Sequence, residues 1–236
     1  MKLKEILDHL TFNELSQHKL GGFKEGYVAD ENIPKLLTTI NEGIRSINRR
    51  IEILQGITVV RLSANKQYYT MSKEFAVVAG VGSTETKYII DTVTTPFKGK
   101  FRKFVQIVDS GGNTLLVNVR ELSSSLALSN YNTFQHPSPI EGDFVSVEYL
   151  YDPDDLVSTT MVQASTEEYP LPYFTAPALY AYVAMSLNIG MSTQQSNQEN
   201  MMNTNKYENE IKLLEDSTIL VGDTCLITRF TNNGWI

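Results

Sequence analysis

The sequence predicts an α+β fold, with a helical bundle drawn from the N-terminal and C-terminal segments and an antiparallel β-domain inserted between them. Three observations lead there. From Ile33 the apolar residues Leu36, Leu37, Ile40, Ile44, Ile47, Ile51 and Leu54 recur at steps of three and four, the clearest periodicity in the chain. From Ile57 to about Val162 the texture changes to short β-rich runs divided by turn residues. After Pro170 and Pro172 helical spacing returns through Leu179, Tyr180, Val183, Met185, Leu187 and Ile189. The organisation expected is a helical part over 1–56, an inserted β-rich domain over 57–165, a helical pair completing the bundle over 166–217, and a C-terminal strand and tail over 218–236.

Taken in order, Leu3, Ile6, Leu7 and Leu10 have helical spacing, and Thr11 with Glu14 matches a capping box that would start a second short helix. Gly21 and Gly22 break the pattern, and the polar stretch to Asp30 reads as a loop. The long helix that follows places Lys35, Asn41, Glu42, Arg45, Asn48, Arg49 and Glu52 away from its apolar stripe, giving one side for packing and one for water or a neighbour. Asp30 or Asn32 can cap its start, Pro34 is tolerated in its first turn, and Gly56 is expected to close it.

Strands are expected at Ile57–Leu62, Phe75–Ala79, Lys87–Thr92, Phe104–Val108, Thr114–Val119 and Phe144–Tyr151. Turns are expected at Gly80–Ser83, Ser110–Asn113 and Glu141–Asp143, where Gly and Asn accept positive φ and Asp bonds its own backbone. Leu122–Pro139 is too irregular to assign. The helix begun by Pro177 is apolar nearly all round and should be central. Gly190 and the run Ser192–Asn200 break or fray it, Met201, Met202, Tyr207, Ile211 and Leu214 suggest a further amphipathic helix, and Thr218–Phe230 reads as a final strand.

Composition narrows the function. With 236 residues, 42% of them apolar, the chain can bury a sizeable core. No apolar run approaches the roughly 18 to 20 residues that cross a bilayer, and the first ten residues lack the apolar block of a signal peptide, so neither membrane insertion nor signal-directed export is expected. The lone Cys225 permits no internal disulfide and no sulfur-based metal cage, which fits a reducing cytoplasm. A net charge of −7 argues against grip on a phosphate backbone, which depends on Lys and Arg. The basic strip Lys98–Lys103 is the exception, and it reads as a solvated hairpin with Phe97, Phe101 and Phe104 packing on one side.

Residues able to do chemistry are present without the spacing that chemistry needs. His9, His18 and His136 share no motif, and none has the i, i+4 partner of a helical metal site. Cys225 lies in an apolar run where a thiol stays protonated. Gly80–Ser83 lacks the third glycine of a dinucleotide loop and the Lys of a phosphate loop. Asp152, Asp154 and Asp155 gather carboxylates without the glycine and distal glutamate of a calcium loop, so a solvated turn is the expectation. No catalytic residue, metal or cofactor is assigned, and the chain is expected not to be an enzyme.

Glu14–Ser16 (ELS), a loop, and Ile33–Ile53 (IPKLLTTINEGIRSINRRIEI), followed by the proline-led Leu171–Leu187 (LPYFTAPALYAYVAMSL) and Asn205–Glu215 (NKYENEIKLLE), form a familiar order. In it the chain resembles the head-to-tail adaptor, or connector, proteins of short-tailed bacteriophages. Leu36, Ile40, Asn41 and Gly43 match that family's Leu/Ile-x-x-x-Ile-Asn-x-Gly-like helix core. The likeness covers roughly half the chain, at its two ends, and not the β-region. It implies a structural virion protein at the head–tail junction, assembled in the host bacterial cytoplasm. Many copies, commonly twelve, would form a ring that binds the portal protein on one side and a tail or nozzle protein on the other, with DNA passing through the lumen unbound. A residue pattern of this kind leaves other neck, collar or tail subunits open, as well as a monomeric β-rich binding module whose site would be lined by aromatics.

The C-terminus supplies the partner-binding candidates. Trp235 and Ile236 follow Asn232, Asn233 and Gly234, so with Phe230 they are candidates to order on docking to the portal or to a neighbouring subunit. Folding of Trp235 back onto its own domain is the alternative.

Overall fold

The computed structural model describes residues 1–15, 28–77, 86–91, 96–118, 125–188 and 194–232, with the backbone alone for 194–197 and 218–232. The chain is mixed α+β and divides into two compact units, one made of Met1–Ile51 with Asp154–Ile236 and the other of Glu52–Pro153.

The first unit holds α1 (Leu3–Phe12), α2 (Ile33–Ile51), α3 (Met161–Ala164), α4 (Ala176–Asn188) and α5 (Gln194–Asn232). The predicted stripe of α2 is its buried face: Leu36, Ile40, Ile44 and Ile47 are sealed from solvent. Helix α4 buries Ala178, Leu179, Ala181, Val183 and Ala184, positions that run round its circumference, and it packs on α1, α2 and α5. Gly43 is what brings α2 close, since a Cβ there would stand 2.8 Å from both Leu179 Cδ1 and Tyr182 Cδ1.

Several expectations for this unit are corrected. Thr11 does not open a new helix. It sits in the last turn of α1, where its hydroxyl donates to the carbonyls of Leu7 and Asp8, both at 2.9 Å, and so serves the helix already formed. Asp30–Asn32 form a 3-10 turn before α2, and the Asp30 carboxylate accepts the Met161 N–H at 3.0 Å instead of capping α2. Helix α2 stops at Ile51 because Glu52 takes a left-handed φ of 54°, which ends the hydrogen-bond ladder. The stretch Gln194–Asn200 is helical, and so is Thr218–Phe230, expected as a strand. The physical reason lies in cooperativity: a running helix gains one backbone bond per residue added, which outweighs the modest β-preference of Thr218, Ile219 and Val221, whereas an isolated strand needs a partner. The expected loop at 21–30 lies largely outside the described residues.

The second unit carries two sheets. The strands are β1 (Gln55–Arg61), β2 (Tyr68–Thr70), β3 (Ala76–Val77), β4 (Ile89–Ile90), β5 (Phe101–Val108), β6 (Ala127–Asn130), β7 (Thr133–Gln135) and β8 (Phe144–Tyr151). The five-stranded sheet runs β3-β4-β1-β8-β5 and the three-stranded sheet β2-β7-β6. All pairs are antiparallel except β3 with β4, so the wholly antiparallel domain expected is corrected at that edge. The β1–β8 register sets Gly56 opposite Tyr149, and a Cβ at Gly56 would lie 2.8 Å from Tyr149 Cζ. Gly56 thus closes no helix; it lies within β1 and leaves room for an aromatic ring across the strand.

The expected run Thr114–Val119 makes only isolated bridges at Thr114 and Val117 among its described residues. Strands β2, β6 and β7 were not foreseen, because three- and four-residue strands carry too few alternations to read. The stretch 154–165, expected within the β-domain, contains α3 and belongs to the helical unit. The turns at Ser110–Asn113 and Glu141–Asp143 form as expected, with Gly112 and Gly142 at φ of 83° and 80°.

Candidate interaction site

Helix α2 and the chain after the β-strands are joined by polar contacts as well as by apolar packing. Asn41 uses both ends of its amide on one residue, donating to the Leu156 carbonyl at 3.0 Å and accepting the Leu156 N–H at 2.9 Å. One turn further, Arg45 pairs with Asp155 at 2.5 Å. Arg50 meets Glu208 through bonds of 2.9 and 2.8 Å and Glu215 at 3.3 Å, and the Glu208 bond holds its guanidinium above the ordinary arginine value. Ser46 and Tyr207 share a bond of 2.9 Å, and the Tyr207 ring lies edge-on to Tyr182. Glu167 takes the N–H groups of Val157 and Ser158 and the Ser158 hydroxyl, which orders the loop leading to α3.

The β-unit is held differently. Phe75, Tyr88, Tyr69, Phe134, Phe104, Phe101, Tyr149 and Phe97 form an unbroken series of ring contacts, each 4.6 to 6.0 Å between centroids. The tyrosine hydroxyls within it reach backbone: Tyr69 accepts from Ser63 N–H at 2.9 Å, Tyr88 from Thr70 N–H at 2.8 Å, and Tyr149 from Lys98 N–H at 2.8 Å. Burial pushes the phenols of Tyr88 and Tyr149 up to about 12 and raises Tyr69. Glu141 serves the same region from outside, and the Ala64 N–H followed by the Ser63 hydroxyl hold its carboxyl below the usual range.

Of the residues singled out in the sequence, some lie outside the described residues and the others are divided between the two units. Trp235 and Ile236 lie outside the described residues, and Phe230 is described by its backbone alone, within α5. Thr231 and Asn232, expected in the tail, are still helical. His9 stacks on Tyr180 with centroids 4.0 Å apart, and its Nδ1 lies 3.4 Å from Glu14, a pair that is ionic only when the imidazole is protonated. His136 is half-buried in the other unit, and burial lowers its pKa. His18 and Gly80–Ser83 fall outside the described residues, as does the Cys225 side chain.

Asp155 is committed to Arg45, and the Asp152 N–H to the Lys100 carbonyl at 2.9 Å. In the basic strip Arg102 and Lys103 both approach Glu52, at 3.1 and 3.4 Å, while Phe97 is buried and Phe101 and Phe104 pack on the core. No group of three His, Cys, Asp or Glu suited to a metal occurs among the described residues.

One feature lay outside the sequence reading. Strands β2, β7 and β6 and the hairpin tip Tyr131–Asn132 contain no charged residue. The signal was present, for Leu122 to Ile140 has no Asp, Glu, Lys or Arg, but a charge-free stretch without clear periodicity does not announce a surface. No family model matches the sequence. No curated protein matches it either.

Proposed function

We propose that this chain is a structural subunit that catalyses nothing, acting as an adaptor ring between a phage portal and its tail at the head–tail junction of the virion. In this reading the helices before and after the β-strands form one bundle, into which the β-unit is inserted. The observation that carries it is the use made of the four residues that resemble the adaptor helix core. Leu36 and Ile40 are buried, Gly43 seats α2 on α4, and Asn41 clamps the returning backbone at Leu156. Gly43 and Asn41 serve the joint between the segment that precedes the insertion and the one that follows it, and Leu36 and Ile40 the buried face of α2 beside them, which is what a packing motif shared across a family would do.

A ring built by rotation needs two different patches on each subunit, and α2 with α5 supply surfaces from opposite ends of the sequence. The net charge of −7 suits a lumen through which DNA slides without being held. The partners proposed are further copies of the chain, the portal protein, and a tail or nozzle protein, with the 230–236 segment as the portal contact.

The test is native mass spectrometry of this chain co-expressed with the portal protein from the same genome. A multi-copy ring on the portal is the expected result, and truncation before Phe230 should remove portal binding. A monomer that ignores the portal would overturn the reading.

A further inference from the structure

The three-stranded sheet has one face turned to the core and one away from it. Tyr69 and Phe134 pair across β2 and β7 and are both fully buried. By the two-residue alternation of strands, their neighbours Tyr68, Thr70, Thr133 and Gln135 lie on the opposite face. The register places them in two rows, Tyr68–Gln135–Ala127 and Thr70–Thr133–Asn130. Tyr68 is 52% exposed, and Tyr131 at the tip of the β6–β7 hairpin is 64% exposed. In a chain with 20% charged residues, this face offers only a tyrosine ring, hydroxyls, amides and a methyl group.

Its edges are closed to another strand. On β2 the Tyr88 hydroxyl accepts the Thr70 N–H at 2.8 Å and donates to the Thr70 carbonyl at 2.9 Å. On β6 the Asn118 side chain accepts the Leu128 N–H at 2.9 Å, while the Leu126 N–H and carbonyl bond to the 116–118 backbone. The Tyr88 and Asn118 side chains, with the 116–118 backbone, thus occupy several of the backbone groups through which strand addition would proceed.

The size of the face narrows the occupant further. Three strands spaced about 4.8 Å apart, three or four residues long at roughly 3.3 Å each, offer on the order of 200 Å². A stable protein interface needs about 800 Å² per partner. By itself the face is smaller than one side of a protein interface, and it has the footprint of a few sugar rings.

We propose that this face binds a short, neutral oligosaccharide. The apolar C–H side of a sugar ring stacks on Tyr68, as an aromatic ring with a polar tip allows. Gln135, Asn130 and the Thr70–Thr133 hydroxyl pair, which share a bond of 3.0 Å, exchange donors and acceptors with the sugar hydroxyls. The Gln135 amide is held only by a long 3.5 Å bond to Gln67, so it can turn to a ligand. Because the described residues of this face carry no charge, they offer an acidic sugar no counter-ion, and a neutral one leaves none of them desolvated as an ion. The proposal is independent of the ring reading, since it concerns the outer face of one sheet.

The experiment screens the full chain against immobilised neutral trisaccharides built on glucose, galactose, mannose and N-acetylglucosamine, with oligouronates as the acidic comparison, and measures affinity by calorimetry. At least one neutral trisaccharide should be retained and the oligouronates should not. Tyr68→Ala should weaken binding at least about tenfold, the equivalent of roughly 1.4 kcal/mol. Gln135→Ala should weaken it severalfold, and Tyr173→Ala, at an exposed tyrosine of the helical unit, should change nothing. Near-UV circular dichroism shows whether each variant keeps its fold. Retention of no neutral trisaccharide, equal retention of oligouronates, or undiminished binding by a folded Tyr68→Ala protein would each sink the proposal.

Discussion

The helical unit and the β-unit solve the same problem with different materials. In the helical unit the core is mostly aliphatic with Tyr169, Tyr180 and Tyr207 buried among it, the closest approach is made by a glycine, and the joint is fastened by paired charges and one bidentate amide. In the β-unit a series of aromatic rings joins aliphatic residues in the core, and its tyrosine hydroxyls are spent on backbone, at Ser63 and Lys98 in loops and at Thr70 in β2. The contrast follows from geometry. Helices satisfy their own backbone, so side chains that cross between helices need only pack or pair. Short strands leave long connections whose N–H groups need partners at depth, and a tyrosine is the residue that fills volume while carrying a hydroxyl to the far side of the core.

The comparison is broken most directly at Tyr149. Tyr149→Ala removes a fully buried ring and the partner of the Lys98 N–H, and should cost the β-unit about 3–5 kcal/mol in urea unfolding followed by near-UV circular dichroism. A loss below about 1 kcal/mol would show that the aromatic series does not hold the unit.

Both units should weaken in alkali, since burial also raises the phenols of Tyr169, Tyr180 and Tyr207 in the helical unit. Burial raises the folded pKa values of Tyr88 and Tyr149 to about 12, from the ordinary phenol value of 10.0. A raised pKa means the folded state favours the neutral phenol, so this contribution is complete below the unfolded value and is lost as pH rises through the folded one. Tyrosinate absorbance should therefore show these two phenols ionising near pH 12 or together with unfolding, and β-unit stability should fall as pH climbs from about 10. Titration of every tyrosine near 10 with the fold intact would contradict the burial described.

Glycine substitutions sharpen the comparison. Gly43→Val and Gly56→Val each drive a branched side chain into an aromatic ring, Tyr182 in one unit and Tyr149 in the other, and each should cost about 1–3 kcal/mol. Gly43→Val should disturb the helical signal in the far ultraviolet and Gly56→Val the tyrosine signal in the near ultraviolet. A single shared response would mean that the units unfold as one.

Smaller effects test the fasteners of the helical unit. Asn41→Ala loses both bonds to Leu156 and should cost about 1–2 kcal/mol in thermal unfolding. Arg50→Ala breaks a partly exposed pair with Glu208 and Glu215 and should cost under about 1 kcal/mol, less at high salt. A salt-independent loss would point to the packing of the arginine stem instead of its charge.

Legibility in the sequence tracked the length of the signal. The α2 stripe, spread over five turns, and β8, eight residues with Val145, Val147 and Tyr149 alternating inward, could be read directly. The short strands β3 and β4 fall within expected runs, but β2, β6 and β7 could not be read, nor could the uncharged face they create, because its rows join residues some 60 positions apart, as Thr70 and Thr133 are. The proposed C-terminal contact at Phe230, Trp235 and Ile236 rests on sequence alone.

By itself the sequence determined the mixed α+β class, the buried stripe of α2, the all-round burial of α4, and the turns at Gly112 and Gly142. Each of these depends on neighbours within a few residues, where periodicity and backbone preference act. Tertiary structure alone decided that Gly56 makes room for Tyr149, that Asn41 and Arg45 hold the chain returning at Asp155 and Leu156, and that four separated polar residues share one face. Those outcomes depend on which distant segment arrives alongside, and the free energy of that arrival is set by packing and hydrogen bonds that no local pattern records.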